Sequence, residues 1–181
     1  MKVGGNKLND FELIKKAKSG CNDSFDKLLK SRGEKLYRVA FYYVKDEHVA
    51  LDIVSETTFK AYISIKKLKH IEYFDTWLVK ILINEALTMI KKQKRIIHLA
   101  DYKKDIEAEE VNPKIEEQSD LHTALDKLNL DDKEILVLKY FGDLTFSDIA
   151  KVMKKSESTV KTKHYRALDK LKNMLQGGSM K

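Results

Sequence analysis

The sequence predicts an all-α protein with two small helical domains joined by a flexible acidic linker. Its 181 residues include one proline and seven glycines, so long stretches lack helix-breaking residues. Apolar residues recur through these stretches at the spacing of one helix face. Counting Lys and Arg against Asp and Glu gives a net charge of +8 for residues 1–96, −4 for 97–119 and +3 for 120–181. We therefore predict domains at residues 1–96 and 119–176, with a linker at 97–118.

Four helices are predicted in the first domain. Asn9 with Glu12 forms a capping pair that starts a short helix, and Gly20 ends it. Apolar spacing predicts two longer helices, and Asp75 is placed to cap a fourth. The predicted helices are Asp10–Lys18, Ser24–Lys45, Glu47–Leu68 and Thr76–Lys94.

The segment Lys66–Phe74, KKLKHIEYF, is predicted to be a loop, because it mixes cations with aromatic side chains. This composition suits contact with unpaired bases, which stack on aromatic rings while cations neutralise the backbone. Phe74 and Trp77 have the spacing of core residues.

The second domain is predicted to contain a helix-turn-helix. Asp131 with Glu134 is expected to cap a helix that runs through Tyr140. Beyond Gly142, Thr145 with Asp148 and then Ser156 supply two further N-caps, and the helix after Ser156 has a cationic outward face. A short helix, a tight turn and a basic second helix are what major-groove binding requires. An ordinary pair of packed helices with solvated charges is the alternative.

Several classes of protein are disfavoured. A single cysteine, Cys21, cannot form an internal disulfide. No segment has signal-peptide character or approaches the roughly 18 apolar residues of a membrane span, so a soluble cytoplasmic protein is expected. The five histidines are not spaced with carboxylates as metal ligands are, and no nucleophile motif occurs. We expect no metal, no cofactor and no small-molecule substrate.

Two blocks of sequence carry a resemblance to a known family. The first consists of DIVSETTFKAY at 52–62 followed by FDTWLVKILINEALTMIKKQKR at 74–95, and the second is the stretch from LNLDDKEILVL to HYRALDKL at 128–171. Together they resemble bacterial extracytoplasmic-function sigma factors, which have two domains. Ser55 and Thr58 depart from the family's usual Gln and Phe. Lys154 and Lys155 replace the usual Gly and aliphatic residue of the turn, so a non-glycine residue there must adopt a positive φ or the turn must differ.

The resemblance implies an alternative sigma factor, which is not an enzyme. Its partners would be core RNA polymerase, promoter DNA and a membrane-anchored anti-sigma factor that holds it at the inner face of the membrane until a stress releases it. The residues implied in core-polymerase binding are Asp52, Ser55, Glu56 and Phe59. Those implied at the downstream promoter element are His70, Tyr73, Asn84, Thr88, Lys91, Lys92 and Lys94. Those implied at the upstream element are Ser158, Thr159, Lys161, Thr162, Tyr165 and Arg166. His164 stands where the family has an aliphatic residue, and we expect it to pack inward.

Three other hypotheses remain at this stage. A helix-turn-helix regulator that acts without polymerase explains the second domain but leaves residues 24–95 without a role. A helical metal-dependent hydrolase lacks histidines paired with carboxylates at metal-site spacing. A purely structural adaptor fits the composition but ignores both blocks. The regulator differs from a sigma factor in that its promoter binding does not need core polymerase.

Overall fold

The computed structural model describes residues 7–101, 124–125 and 127–177, and the side chains of 9–92, 124–125 and 127–176. Within these residues the chain is helical and contains no β-strand, which confirms the all-α prediction. It divides into two units, residues 1–98 and 99–181. The helices of the first unit are α1 (Lys7–Lys18), α2 (Asn22–Lys30), α3 (Gly33–Val44), α4 (Glu47–Ser64) and α5 (Phe74–Asp101). Those of the second are α6 (Leu130–Tyr140), α7 (Phe146–Met153) and α8 (Glu157–Gly177).

In the first unit α1 packs on α2 and α3 packs on α4. The largest fully buried side chains include Leu28, Ile53, Phe74 and Leu82. The prediction that Phe74 anchors the core is confirmed, since it is 1% exposed. Trp77 is only half-buried, with its ring centre 5.7 Å from that of Phe74.

The long second helix predicted over Ser24–Lys45 is wrong, because the chain forms two helices separated at Ser31 and Arg32. The Ser31 hydroxyl and the Arg32 guanidinium both donate to the Leu28 carbonyl, at 2.9 and 3.3 Å. These side-chain bonds use an acceptor of the last turn of α2, and α3 then starts at Gly33.

Arg32 is a buried charged residue between α2 and α3. It is 8% exposed, and its guanidinium donates to Asp10 of α1 at 2.9 Å and to Asp75 of α5 at 2.5 Å. The predicted N-cap role of Asp75 is therefore wrong, since α5 already begins at Phe74 and the Asp75 carboxylate accepts from Arg32 instead. The ion pairs join three helices across the core.

Other helix boundaries also differ from the predictions. Helix α4 is capped by Asp46, which accepts from the Val49 amide at 2.8 Å, and ends at Ser64 rather than Leu68. The predicted loop contains two 3₁₀ turns, Ile65–Lys67 and Ile71–Tyr73. Helix α5 continues to Asp101, so the first residues of the predicted linker are helical, and residues 102–123 lie outside the described part.

In the second unit α6, α7 and α8 pack around Ile135, Leu138, Ile149 and Val160. The N-cap of α6 is Asn129, whose side chain accepts from the Asp132 amide at 2.9 Å. The predicted cap at Asp131 is wrong, and that carboxylate pairs with lysines of the helix-turn-helix instead.

The helix-turn-helix forms as its capping residues predict. Thr145 and Asp148 make a reciprocal capping box at the start of α7, and the Ser156 hydroxyl accepts from the Thr159 amide at 3.1 Å. Lys154 ends α7 in the left-handed region, with φ of 54° and ψ of 44°. A lysine therefore occupies the position that usually takes glycine, and the sharp turn is kept despite the steric cost of its Cβ.

Candidate nucleic-acid and protein interfaces

Helix α8 presents a polar and cationic stripe to solvent. All six residues predicted to contact DNA here are exposed: Ser158, Thr159, Lys161, Thr162, Tyr165 and Arg166. Three hydroxyls cluster at the start of the helix, where Ser156 Oγ lies 3.0 Å from Ser158 Oγ and 2.7 Å from Thr159 Oγ1. The Glu157 carboxylate accepts from Lys161 at 2.7 Å and raises the pKa of that amine. The stripe thus combines hydrogen-bonding groups with cations that stay charged at neutral pH.

Ion pairs orient α8 against the rest of its unit. Asp131 accepts from Lys155, in the turn, and from Lys163, in α8, the latter at 2.7 Å. These two bonds lower the pKa of Asp131 to about 2. Lys170 adds a contact to Asp132 of α6 at 3.0 Å. The turn and the inner edge of α8 are thereby fixed to the start of α6.

His164 packs inward, as predicted, and is 4% exposed. Its Nε2 lies 3.2 Å from the Tyr140 hydroxyl, and its ring contacts Phe146 and Tyr165 edge-on at 4.9 and 5.1 Å between ring centres. Burial, with a smaller contribution from Lys139, lowers the pKa of the imidazole. The neutral ring therefore acts as a packing group beneath the stripe.

A second candidate nucleic-acid surface begins in the segment before α5. His70 and Tyr73 are exposed, and their ring centres lie 6.1 Å apart at an angle of 66°. His70 Nδ1 is 3.3 Å from the Glu72 carboxylate. Both rings are thus accessible to a base from solvent.

This surface continues on α5. Asn84, Thr88 and Lys91 are exposed at helical spacing on one face, and Lys92 is exposed beside them. The Thr88 hydroxyl donates to the Asn84 carbonyl at 2.7 Å. Lys94 belongs to the same helix, but its side chain lies outside the described part.

A third exposed face lies on α4 and has a different character. Asp52, Ser55, Glu56 and Phe59 are all exposed on one side of the helix, and Phe59 is 58% exposed. The Glu56 carboxylate lies 3.4 Å from the Lys60 amine, which donates to Glu85 of α5 at 2.6 Å. An apolar ring flanked by carboxylates suits a protein partner better than a nucleic acid.

Comparison with protein families identifies the chain. The model described as "Sigma-70 region 2" matches residues 28–96, and "Sigma-70, region 4" matches residues 118–171. A relative named RNA polymerase sigma factor SigV, from Bacillus subtilis, is 40% identical over 136 residues, which is 73% of this chain and 79% of the relative. The chain belongs to the sigma-70 family. It is an extracytoplasmic-function sigma factor and acts in transcription initiation.

Other related proteins align with most of this chain. The extracytoplasmic-function sigma factor SigW of Bacillus subtilis is 26% identical over 182 residues, 90% of this chain and 95% of the relative. The solved structure of CnrH in complex with the cytosolic domain of CnrY has a TM-score of 0.69 at 22% identity and covers 93% of this chain and 98% of that one. Bartonella quintana RpoE, solved with the anti-sigma factor NepR, has a TM-score of 0.67 at 24% identity and covers 84% and 96%. Both structures share the helical fold.

Part of the exposed apolar surface of this sigma factor was not predicted from the sequence. On α4, Leu51, Tyr62 and Ile63 are 48%, 48% and 59% exposed on the same side as Phe59. On α5, Leu87 is 43% exposed between Asn84 and Thr88. Helical spacing from Phe59 and Asn84 was the available indication, since residues three and four apart share a face.

In the described part of the chain, no group of three or more His, Cys, Asp or Glu side chains is arranged to hold a metal ion. Among the described helices, none is long and apolar enough to cross a membrane.

Proposed function

We propose that this sigma factor binds core RNA polymerase through the exposed face of α4, selects promoters through α5 and α8, and assists opening of the duplex. Residues 1–96 would form the domain for polymerase and the downstream promoter element, and 119–176 the domain for the upstream element, with 97–118 as the linker. One observation carries the proposal: the exposed apolar face of α4 occurs in the same chain as a cationic recognition helix. A DNA-binding regulator that acts without polymerase needs only the cationic helix.

Polymerase binding through α4 is supported by the amount of apolar surface this helix leaves in water. Four large side chains, Leu51, Phe59, Tyr62 and Ile63, are each about half exposed on one side. A cluster of this kind usually marks a protein interface. Asp52 and Glu56 lie at its edge, where charges set register and orientation more than affinity. An apolar face on a single helix is suited to packing against a helical surface of the polymerase.

Contact with the downstream element is proposed for the segment at His70 and Tyr73 and for α5. Opening the duplex costs a few kcal/mol per unstacked base, which stacking on exposed rings offsets. Asn84 and Thr88 can hydrogen-bond to base edges, while Lys91, Lys92 and Lys94 would neutralise phosphates.

Contact with the upstream element is proposed for the first turns of α8. Ser158 and Thr159 lie at the helix N-terminus, where amides and dipole favour phosphate. Lys161, Thr162, Tyr165 and Arg166 follow on the exposed face, with Arg166 able to bind guanine in a bidentate manner.

We also propose that the protein catalyses no reaction itself, needs no cofactor, and works in the cytoplasm under an anti-sigma factor in a stress response. Family membership supports the absence of catalysis, because nucleotide addition belongs to the polymerase. Two solved structures with the same fold are complexes, one with an anti-sigma factor and one with the cytosolic domain of CnrY, which supports a partner of that kind.

Run-off transcription with core polymerase and genomic fragments tests the proposal. The K161A/R166A variant should lose transcripts from defined start sites while core binding is retained. K172A is its matched control, because Lys172 is exposed on the same helix about three turns after Lys161. F59D should lose co-elution with core polymerase, whereas L130D, at an 82% exposed leucine of the second unit, should not.

Two results would contradict the proposed function. Salt-dependent DNA binding without start sites or co-elution would make the protein a free-standing regulator. Retained polymerase binding by F59D would remove α4 from the interface.

A further inference from the structure

We propose that helix α1 is a positioning element for promoter opening, which acts through Lys18 and Asp10 on the segment from Ile65 to Asp75. The inference rests on the proposed role of this segment in holding unpaired bases. Helix α1 ends at Lys18, ten residues before the match to sigma-70 region 2 begins at residue 28. The family match therefore assigns it no role.

The first link is between Lys18 and the middle of the segment. The Lys18 amine donates to the Leu68 carbonyl at 2.5 Å, although the two residues are 50 positions apart in sequence. Leu68 lies between the two 3₁₀ turns, has an extended backbone and is 7% exposed. A charged donor on a carbonyl makes one of the stronger hydrogen bonds. It fixes the chain one residue before the exposed Lys69 and His70.

The second link is at the end of the segment. Asp10 of α1 accepts from Arg32, which also donates to Asp75 in the first turn of α5. The Arg32 guanidinium lies 5.3 Å from the centre of the Phe74 ring. Asp10 is therefore connected through one buried cation to the residues that directly follow Tyr73.

Between these links, α1 and the segment leave open space. A cleft of about 330 Å³ is lined by Asp10, Phe11 and Ile14 of α1 and by Ile71, Glu72 and Phe74 on the opposite side. Helix α1 also packs against both 3₁₀ turns. Turns of three residues have poor hydrogen-bond geometry and little stability of their own. The two polar links are thus placed to set the shape of the segment that carries His70 and Tyr73.

The test uses the full sigma factor reconstituted with core polymerase on a promoter it transcribes. Permanganate reactivity of thymines in the downstream element measures how much DNA is unpaired. K18M removes the donor and D10N removes the charge of Asp10. Their matched controls are K15M and E12Q, at exposed positions of the same helix.

We expect K18M and D10N to lower permanganate reactivity about fivefold, the effect of one partly exposed charge-assisted hydrogen bond. K18R keeps a donor and should restore most of the reactivity. Core affinity, measured by co-elution, and binding of the upstream element should match the K15M and E12Q controls, because α4 and α8 are unchanged.

Opening by K18M and D10N equal to that of their controls would overturn the inference. An opening defect that follows a parallel loss of core binding would also overturn it, because α1 would then only support the polymerase-binding surface. If the unmodified protein opened no promoter at all, the proposed function itself would fail, and that result is distinct from either outcome.

Discussion

The two units fix their helices in different ways. In the first, Arg32 is buried between carboxylates 22 and 43 residues away in sequence and joins three helices. In the second, the caps at Asn129, Thr145 and Ser156 act over three residues, and the ion pairs of Asp131 are at the surface. The first unit therefore contains a buried charged contact between residues far apart in sequence, whereas the caps of the second unit join residues that are close in sequence. This difference predicts where single substitutions should cost most.

The largest effect is expected from R32M. It removes the cation between Asp10 and Asp75, but both carboxylates are more than a third exposed and can be rehydrated. The expected loss in free energy of unfolding is about 2 kcal/mol. Trp77, the single tryptophan, lies in the first unit and reports its urea unfolding by fluorescence. R38M is the control, because Arg38 pairs with Glu34 at an exposed position. An equal loss in both variants would contradict the comparison.

A smaller effect is expected from T145A in the second unit. The substitution removes the hydroxyl that accepts from the Asp148 amide at 3.1 Å, and loss of such a cap costs about 1 kcal/mol. Amide hydrogen exchange should accelerate in α7, while Trp77 fluorescence unfolding stays unchanged. S147A, in the same first turn, is the control. Exchange rates in α7 that do not change with T145A would show that the apolar core alone holds this helix.

The smallest effect is expected from D131N, below about 1 kcal/mol, because the Asp131 side chain is 43% exposed and its ion pairs are screened by water. Its pKa lies at about 2 in the folded chain, below the ordinary value of 3.8, since Lys155 and Lys163 donate to the carboxylate. The stabilisation is therefore complete above pH of about 4 and is lost as the pH falls towards 2. D131N should remove this part of the pH dependence of unfolding, measured by circular dichroism, and D169N should not.

These contrasts also explain what could be predicted from the sequence. The caps at Thr145 and Ser156 and the inward position of His164 follow from residues within one or two helical turns. The break at Arg32 and the true partner of Asp75 depend on residues far along the chain, which periodicity does not contain. The cap at Asn129 was missed because Asp131, two residues later, offered a similar pattern.

Prediction of the candidate surfaces was also limited to what local spacing along a helix can show. Polar residues such as Lys161 and Arg166 were placed on the exposed face of α8 because a charged stripe opposite an apolar stripe is unambiguous. Leu51, Tyr62 and Ile63 were missed, although their helical spacing places them with Phe59. Whether another helix of the same chain covers that side of α4 depends on the tertiary packing, which helical spacing does not contain.

Two threonines on the helices proposed to contact DNA donate their hydroxyl protons to backbone carbonyls of the same helix. Thr88 donates to the Asn84 carbonyl at 2.7 Å, and Thr162 donates to the Ser158 carbonyl at 2.9 Å. Towards a promoter, each hydroxyl can therefore only accept. In the major groove, where the first turns of α8 are proposed to bind, acceptance by Thr162 selects the exocyclic amines of adenine and cytosine over the carbonyls of thymine and guanine. The hydrogen bond from the threonine hydroxyl to the helix backbone thus limits which bases of the promoter this side chain can distinguish.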